Sequence, residues 1–149
     1  MKSVNPYLNF AGKTAEAFIF YKSVFGGDFA GPMLRFRDFG ERMMDMSESD
    51  LDLIAHVGLP INGEQILMGS DTPSNQPAPV AGSNFSILLE AESAEEAERV
   101  FNALAAGGSV EMPLMKTEWA EKYGTCRDQF GVPWMVNFTG VVNWEEAVQ

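Results

Sequence analysis

The 149-residue chain is poor in cysteine, histidine and basic residues, with one Cys, one His and ten Lys and Arg against 21 Asp and Glu. The single cysteine, Cys126, excludes an internal disulfide and is typical of a reducing, cytoplasmic compartment. A chain of net charge −11 is repelled by phosphate backbones and anionic lipids, so we expect no nucleic-acid and no membrane partner. The apolar runs are also too short for a transmembrane helix.

What the sequence does contain is an internal repeat. Residues 5–27 and 84–108 each comprise a short alternating run, a polar break and an amphipathic stretch that ends at a glycine pair. The first amphipathic stretch begins near Thr14, and the second begins at a capping box formed by Ser93 and Glu96. Strand-like runs follow both copies, so each half of the chain reads βαβββ. These strands are predicted at 29–37, 53–61, 64–71, 109–116, 123–130 and 133–138.

The predicted fold is therefore α+β, with two βαβββ modules. The helix of such a module covers only one face of its sheet, so we expect the two bare faces to form a shared cup, with curved mixed sheets inside and helices outside. A cup of this kind is a natural ligand site. We divide the single domain into module 1, a linker with three prolines, module 2 and a C-terminal tail, at 1–71, 72–83, 84–138 and 139–149.

Two connections within module 1 have their own signatures. Residues 62 and 63 are Asn-Gly, which predicts a hairpin turn between two strands. Residues 38–52 are polar, rich in methionine and without periodicity, so they are expected to form a mobile loop.

Five segments, 5–10, 17–27, 54–59, 66–71 and 118–137, together span nearly the whole chain. They resemble the vicinal oxygen chelate superfamily, which includes glyoxalase I, extradiol dioxygenases and bleomycin-resistance proteins, and within it the PhnB-like branch. The resemblance implies a glyoxalase-like fold and a homodimer in which elements of one chain complete the cup of the other. Exposed apolar residues of the methionine-rich loop and around Trp144 would then be buried in the dimer.

Side-chain alternation predicts which residues face the cup. Among them, Leu67 and Gly69 are expected on the same side of their strand as Asp71. His56 is the best candidate for a catalytic residue because an imidazole can act as a base or orient a ligand near neutral pH. The alternative is a strand histidine with a purely structural hydrogen bond. The candidate ligand-binding residues are Tyr7, Asn9, His56, Asp71, Ser86 and Asn137.

A metal site of the family type is not expected. The resemblance implies that metal-dependent members place His or Gln early in the first strand of each module and Glu in each last strand. Here the early positions hold Asn5 or Tyr7 in module 1 and Asn84 or Ser86 in module 2, while the late ones hold Leu67 and Met135. A divalent metal needs three or four converging donors. We therefore expect no cofactor, with a divalent metal as the alternative.

Two functions follow from these observations. The first is metal-free binding of a small molecule in the cup of a cytoplasmic homodimer. The second is an enzyme of the same superfamily, either metal-dependent with an unusual ligand set or using His56 in acid–base chemistry.

Overall fold

The computed structural model describes residues 1–43 and 45–147, which form two compact units, Met1–Val80 and Ala81–Gln149. Each unit holds one four-stranded mixed sheet and one helix of 12 residues packed on it. This is the predicted α+β fold with two modules. The boundary between the units falls inside segment 72–83, and the closing of the two sheets into one cup stays a prediction.

In the first unit, strand β1 runs parallel to β4, and the remaining neighbours are antiparallel, giving the order β1-β4-β3-β2. A 3₁₀ segment and a short second helix lie between β2 and β3. The elements are β1 Tyr7–Phe10, α1 Thr14–Phe25, β2 Leu34–Arg35, the 3₁₀ segment Phe36–Met43, α2 Glu48–Leu51, β3 Ile54–Pro60 and β4 Ile66–Asp71.

The second unit repeats this arrangement, with the order β5-β8-β7-β6 and a parallel β5–β8 pair. No helix in the part of the chain that the structure describes is long and apolar enough to span a membrane. The elements are β5 Ile87–Glu90, α3 Ala94–Ala105, β6 Ser109–Met115, β7 Lys122–Arg127, β8 Pro133–Phe138 and α4 Trp144–Ala147.

Helices α1 and α3 form where the three- and four-residue spacing of apolar residues predicts them. In α1, Ala17, Phe18 and Tyr21 are fully buried against the first sheet. The helix ends before Gly26, which has φ 75°, a value that glycine adopts at little cost. In α3, the buried stripe consists of Ala97, Val100, Phe101 and Leu104.

The start of α3 differs from a full capping box. Ser93 Oγ accepts a hydrogen bond from the Glu96 amide at 3.0 Å, as predicted. The Glu96 carboxylate accepts from the amide of Glu92 at 2.8 Å, one residue earlier than the reciprocal bond of the motif. One half of the predicted cap is thus confirmed.

The strand predicted at 29–37 is wrong for most of its length. Only Leu34 and Arg35 form ladder pairs with β3. Gly31, with φ 94°, and Pro32 interrupt the segment before them, and after them the Asp38 carboxylate accepts a hydrogen bond from the Arg35 amide at 2.8 Å as the chain enters the 3₁₀ segment. The prediction of a mobile loop at 38–52 is also wrong at residues 48–51, which form α2. Ser47 caps this helix, since its hydroxyl oxygen accepts a hydrogen bond from the Asp50 amide. The side chains of Met43, Met44 and Trp144, which we expected at a dimer contact, lie outside the described residues.

The hairpin between β3 and β4 is confirmed, but its turn is longer than predicted. Residues 61–65 connect the strands, and Asn62 Oδ1 accepts hydrogen bonds from the amides of Glu64 and Gln65. Neither Asn62 nor Gly63 has a positive φ, whereas a two-residue type I′ turn requires it at both positions.

Candidate functional site

The first sheet has one face against α1. A Cβ placed on Gly69 would lie 2.7 Å from Cε2 of Phe18 and 2.9 Å from the Leu8 carbonyl oxygen, so this glycine lets the helix approach β4. Leu67, Gly69 and Asp71 all lie on this face, since residues two apart in a strand point the same way. Their predicted orientation toward the cup is therefore wrong.

Asp71 lies beneath the start of α1 and is only 4% exposed. Its Oδ1 accepts hydrogen bonds from the amides of Gly12 and Thr14, at 2.9 and 3.1 Å, and from the Thr14 hydroxyl at 2.7 Å. Its Oδ2 accepts from the Ile54 amide at 2.9 Å. The carboxylate thus caps the first helix from a distant strand, because Lys13 at the N-cap position supplies no side-chain bond. We assign Asp71 to the fold and no longer to the ligand site.

The opposite side of this sheet, which we call the first open face, carries the other candidates of module 1. Tyr7 pairs with Met68, Asn9 pairs with Ser70, and His56 pairs with Leu34. Residues opposite each other in neighbouring strands share a face, so Tyr7 and Asn9 lie on the side away from Phe18. The predicted orientations of Tyr7, Asn9 and His56 agree with this register.

On the first open face, Tyr7 and His56 are in direct contact. The Tyr7 hydroxyl lies 3.1 Å from His56 Nδ1, and the two ring centroids are 5.7 Å apart with an angle of 30° between the planes. Tyr7 is 43% exposed. Sequence reasoning placed both residues on one face but did not identify this hydrogen bond, because the relative register of β1 and β3 depends on β4 between them.

The second sheet is organised in the same way. A Cβ on Gly124 would lie 2.9 Å from Cε2 of Phe101 in α3, so Gly124 and its register partner Val136 face the helix. Met135 and Asn137 therefore point to the other side, as predicted. We call this side the second open face; its residues are Leu88, Glu90, Tyr123, Thr125, Met135 and Asn137. Ser86 is exposed and immediately precedes β5.

Glu90 is a polar residue of the second open face that the sequence analysis missed. Its Oε2 accepts a 2.6 Å hydrogen bond from Asn137 Nδ2, and its Oε1 accepts from the amide and hydroxyl of Thr139, at 3.0 and 2.8 Å. Partial burial alone would raise the pKa of Glu90, but these hydrogen bonds outweigh it and hold the pKa below its usual value. The signal available in the sequence was the spacing of Glu90 two residues after Leu88, because residues two apart in a strand lie on the same face.

Three other residues of the second unit, one cysteine and two tryptophans, lie in or beside its core. Cys126 is fully buried, and burial, together with nearby Asp128 and Glu111, raises the pKa of its thiol to about 11, so it is an inert core residue. Trp134 is 1% exposed and donates to Asp128 Oδ2 at 2.9 Å. Trp119 is 45% exposed and packs edge-on against Tyr123 with the ring centroids 5.2 Å apart.

The donor residues do not fit a metal centre of the family type. Among the side chains that the structure describes, no three of His, Cys, Asp or Glu converge in a way that could hold a metal ion. Leu67, at one of the expected ligand positions, is 1% exposed and faces the core. We therefore derive no chemistry through a metal.

The chain is similar in sequence and in structure to several known proteins. The family model described as 3-demethylubiquinone-9 3-methyltransferase matches residues 2–137. Protein YjdN of Escherichia coli K12 is 33% identical over 144 residues, which cover 90% of this chain and 93% of YjdN. The crystal structure of protein PA1353 from Pseudomonas aeruginosa is 43% identical with a TM-score of 0.81, covering 91% of this chain and 96% of that one.

Two further solved structures have the same fold as this chain. The PhnB protein from Bacillus cereus, described as a putative 3-demethylubiquinone-9 3-methyltransferase, is 27% identical with a TM-score of 0.72, covering 91% of this chain and 98% of that one. A glyoxalase/bleomycin resistance/dioxygenase family enzyme from Burkholderia phytofirmans shares the fold at 15% identity and a TM-score of 0.60, covering 93% of this chain and 98% of that one. The chain belongs to the PhnB-like family described as 3-demethylubiquinone-9 3-methyltransferase, and it shares the fold of a glyoxalase/bleomycin resistance/dioxygenase family protein.

Proposed function

We propose that this protein binds a small molecule, without a metal, on the first open face, and that Tyr7 and His56 hold the ligand. The observation that carries the proposal is the 3.1 Å contact between the Tyr7 hydroxyl and His56 Nδ1 on an exposed sheet face. Tyr7 remains 43% exposed, so a ligand can reach the pair. Here Asn9 and Ser70 add further polar groups to the same face.

The hydrogen bond between the two side chains has two arrangements, and both leave one donor free. If the tyrosine donates to Nδ1, neutral His56 carries its proton on Nε2. If Nδ1–H donates to the tyrosine oxygen, the tyrosine O–H is free instead. In either case the pair offers one N–H or O–H donor to a ligand. The ligand should therefore carry a hydrogen-bond acceptor such as a carbonyl or carboxylate oxygen.

The single histidine makes this proposal directly testable. His56 gives the only imidazole signals in an NMR spectrum of the protein, so its ring nitrogens report a ligand without ambiguity. We expect benzoate and acetophenone to shift these signals in a saturable manner, and Tyr7→Phe to weaken binding about two- to tenfold, the usual worth of one hydrogen bond. Tyr123→Phe removes the same hydroxyl from the other unit and should leave the affinity unchanged.

The proposal fails if neither compound shifts the imidazole signals at saturating concentration, or if Tyr7→Phe and Tyr123→Phe bind equally well.

We do not propose the methyltransferase activity that the family description names. A nucleotide-derived methyl donor is usually held by a glycine-rich loop between a strand and a helix. The connections 11–13 and 91–93, which occupy that place in the two units, contain one glycine between them, Gly12.

The alternative is an enzyme in which His56 transfers a proton. The same contact favours it, because a tyrosine hydroxyl fixes the orientation of the imidazole as a general base requires. An activity that survives His56→Ala would remove this role. A stoichiometric Zn, Ni, Mn or Fe that remains after dialysis would favour a metal-dependent enzyme instead.

We also propose a homodimer. Three large apolar side chains of the edge strand β6 are exposed, which favours burial against a partner: Val110 at 51%, Met112 at 41% and Met115 at 52%. Sedimentation at low micromolar concentration should give twice the chain mass, and a clean monomer would contradict the proposal.

A further inference from the structure

The second open face contains a buried acceptor that has no donor. Asn137 is 8% exposed, and its Nδ2 donates to Glu90 Oε2 at 2.6 Å and to Thr139 Oγ1 at 3.1 Å. Its Oδ1 is buried and accepts no hydrogen bond within the described residues. A 180° turn of the amide would place that oxygen against the carboxylate, so its orientation is fixed by charge. Leaving a buried acceptor unpaired costs free energy that a donor would recover.

The neighbouring carboxylate also has room for a donor. A carboxylate has about four lone-pair positions. The Thr139 amide and hydroxyl use Oε1 of Glu90, and Asn137 Nδ2 uses one position on Oε2. One position on Oε2, the oxygen that contacts the Asn137 side chain, therefore remains vacant. The lowered pKa of Glu90 is consistent with a carboxylate that stays charged at neutral pH.

Apolar and aromatic side chains surround these two acceptors. Tyr123 pairs with Asn137 across β7 and β8, and Trp119 packs edge-on against Tyr123. Leu88, two residues before Glu90 on the same face, is 59% exposed. Such a surface suits an apolar or aromatic group, and aromatic faces also attract cations.

We infer that the second open face binds a primary ammonium group carried on an apolar or aromatic body. The ammonium N–H groups donate to Asn137 Oδ1 and Glu90 Oε2, while the body of the ligand lies against Leu88 and Tyr123. An ammonium group has donors only, so it places no lone pair against the carboxylate. The net charge of −11 favours the approach of such a cation. The inference is independent of the proposed Tyr7–His56 site, which lies in the other unit.

Benzylammonium and benzyl alcohol, which have the same aromatic body, test the inference by isothermal titration calorimetry. We expect benzylammonium to bind at least tenfold more tightly and to shift the side-chain amide NMR signal of Asn137. Glu90→Gln should remove this preference. The matched variant Glu95→Gln makes the same change of charge on α3, on the covered side of the sheet, and should retain it.

Equal affinity for the two compounds would overturn the inference. So would an equal loss of the preference for benzylammonium in Glu90→Gln and in Glu95→Gln. So would a high-resolution structure in saturating benzylammonium that shows only a water molecule on Asn137 Oδ1. Because the comparison of amine with alcohol uses the unmodified protein, it decides the question even if Glu90→Gln folds poorly.

Discussion

The Asp71 carboxylate allows a sharp stability prediction, because one buried side chain satisfies four donors. Replacing Asp71 by alanine leaves the amides of Thr14 and Ile54 and the Thr14 hydroxyl without partners in the core. An unsatisfied buried donor costs roughly 1–3 kcal/mol. Three such donors, partly rehydrated through the cavity that alanine leaves, should lower the free energy of unfolding by roughly 3–5 kcal/mol.

The asparagine variant separates hydrogen bonding from packing. In Asp71→Asn, the Oδ1 atom keeps its three bonds to Gly12 and Thr14, while an NH₂ group faces the Ile54 amide. We expect a loss of roughly 1–3 kcal/mol, the cost of one unsatisfied pair. Urea denaturation followed by far-UV circular dichroism measures both variants.

The control is Asp28→Ala, which removes an exposed carboxylate from the same unit. It should change stability by less than about 0.5 kcal/mol. The reasoning is refuted if Asp71→Asn costs as much as Asp71→Ala, or if both variants are as stable as the control.

Three further predictions follow from other contacts. Gly69→Ala would place a Cβ 2.7 Å from a ring carbon of α1 and should cost roughly 1–3 kcal/mol in thermal unfolding, whereas Gly63→Ala, with no atom within 4 Å, should be neutral. With a thiol pKa of about 11, Cys126 should react with a disulfide reagent at pH 8 only after unfolding in urea, and rapid labelling of the native protein would contradict its burial. The side-chain hydrogen bond from Ser74 lowers the pKa of Asp50 in the folded protein. The stabilisation by the Asp50 carboxylate is therefore complete above the ordinary pKa of 3.8 and is lost as the pH falls through the lower pKa of the folded state. Asp50→Asn should make unfolding less sensitive to acid between these two pKa values, and an unchanged acid dependence would argue against the hydrogen bond.

The parts of the fold that the sequence predicted are those with a clear period. Helices α1 and α3 each carry apolar residues on one face and end at glycine, so local spacing alone defines them. Strand β3 was oriented correctly because Val57 and Leu59 alternate with His56 and Gly58. The internal repeat then supplied the two-module arrangement.

The errors arose where alternation carries no information. Strand β4 reads ILMGSD, with apolar residues on both faces, so neither parity is favoured by the pattern. Only the close approach of Phe18 to Gly69 fixes the orientation, and that contact joins residues far apart in sequence. The strand predicted at 29–37 failed for a different reason, since Gly31 and Pro32 interrupt it before Leu34 and the bond from the Arg35 amide to Asp38 follows directly after it.

The candidate site was predicted in part. Alternation placed Tyr7, His56 and Asn137 on the faces away from the helices. It did not reveal the hydrogen bond between Tyr7 and His56, nor the role of Glu90, because both depend on which residues of neighbouring strands stand opposite each other. Register of that kind is decided by packing across the whole sheet.

The burial of Cys126 makes this chain a convenient host for site-specific probes. Its only thiol is inaccessible and almost entirely protonated near neutral pH. Cysteines introduced at exposed helix positions such as Ser23 in α1 and Asn102 in α3 can therefore be labelled with fluorophores or spin labels while the native thiol stays in place. Energy transfer between two such labels, one in each unit, would report changes in their separation as a ligand is added.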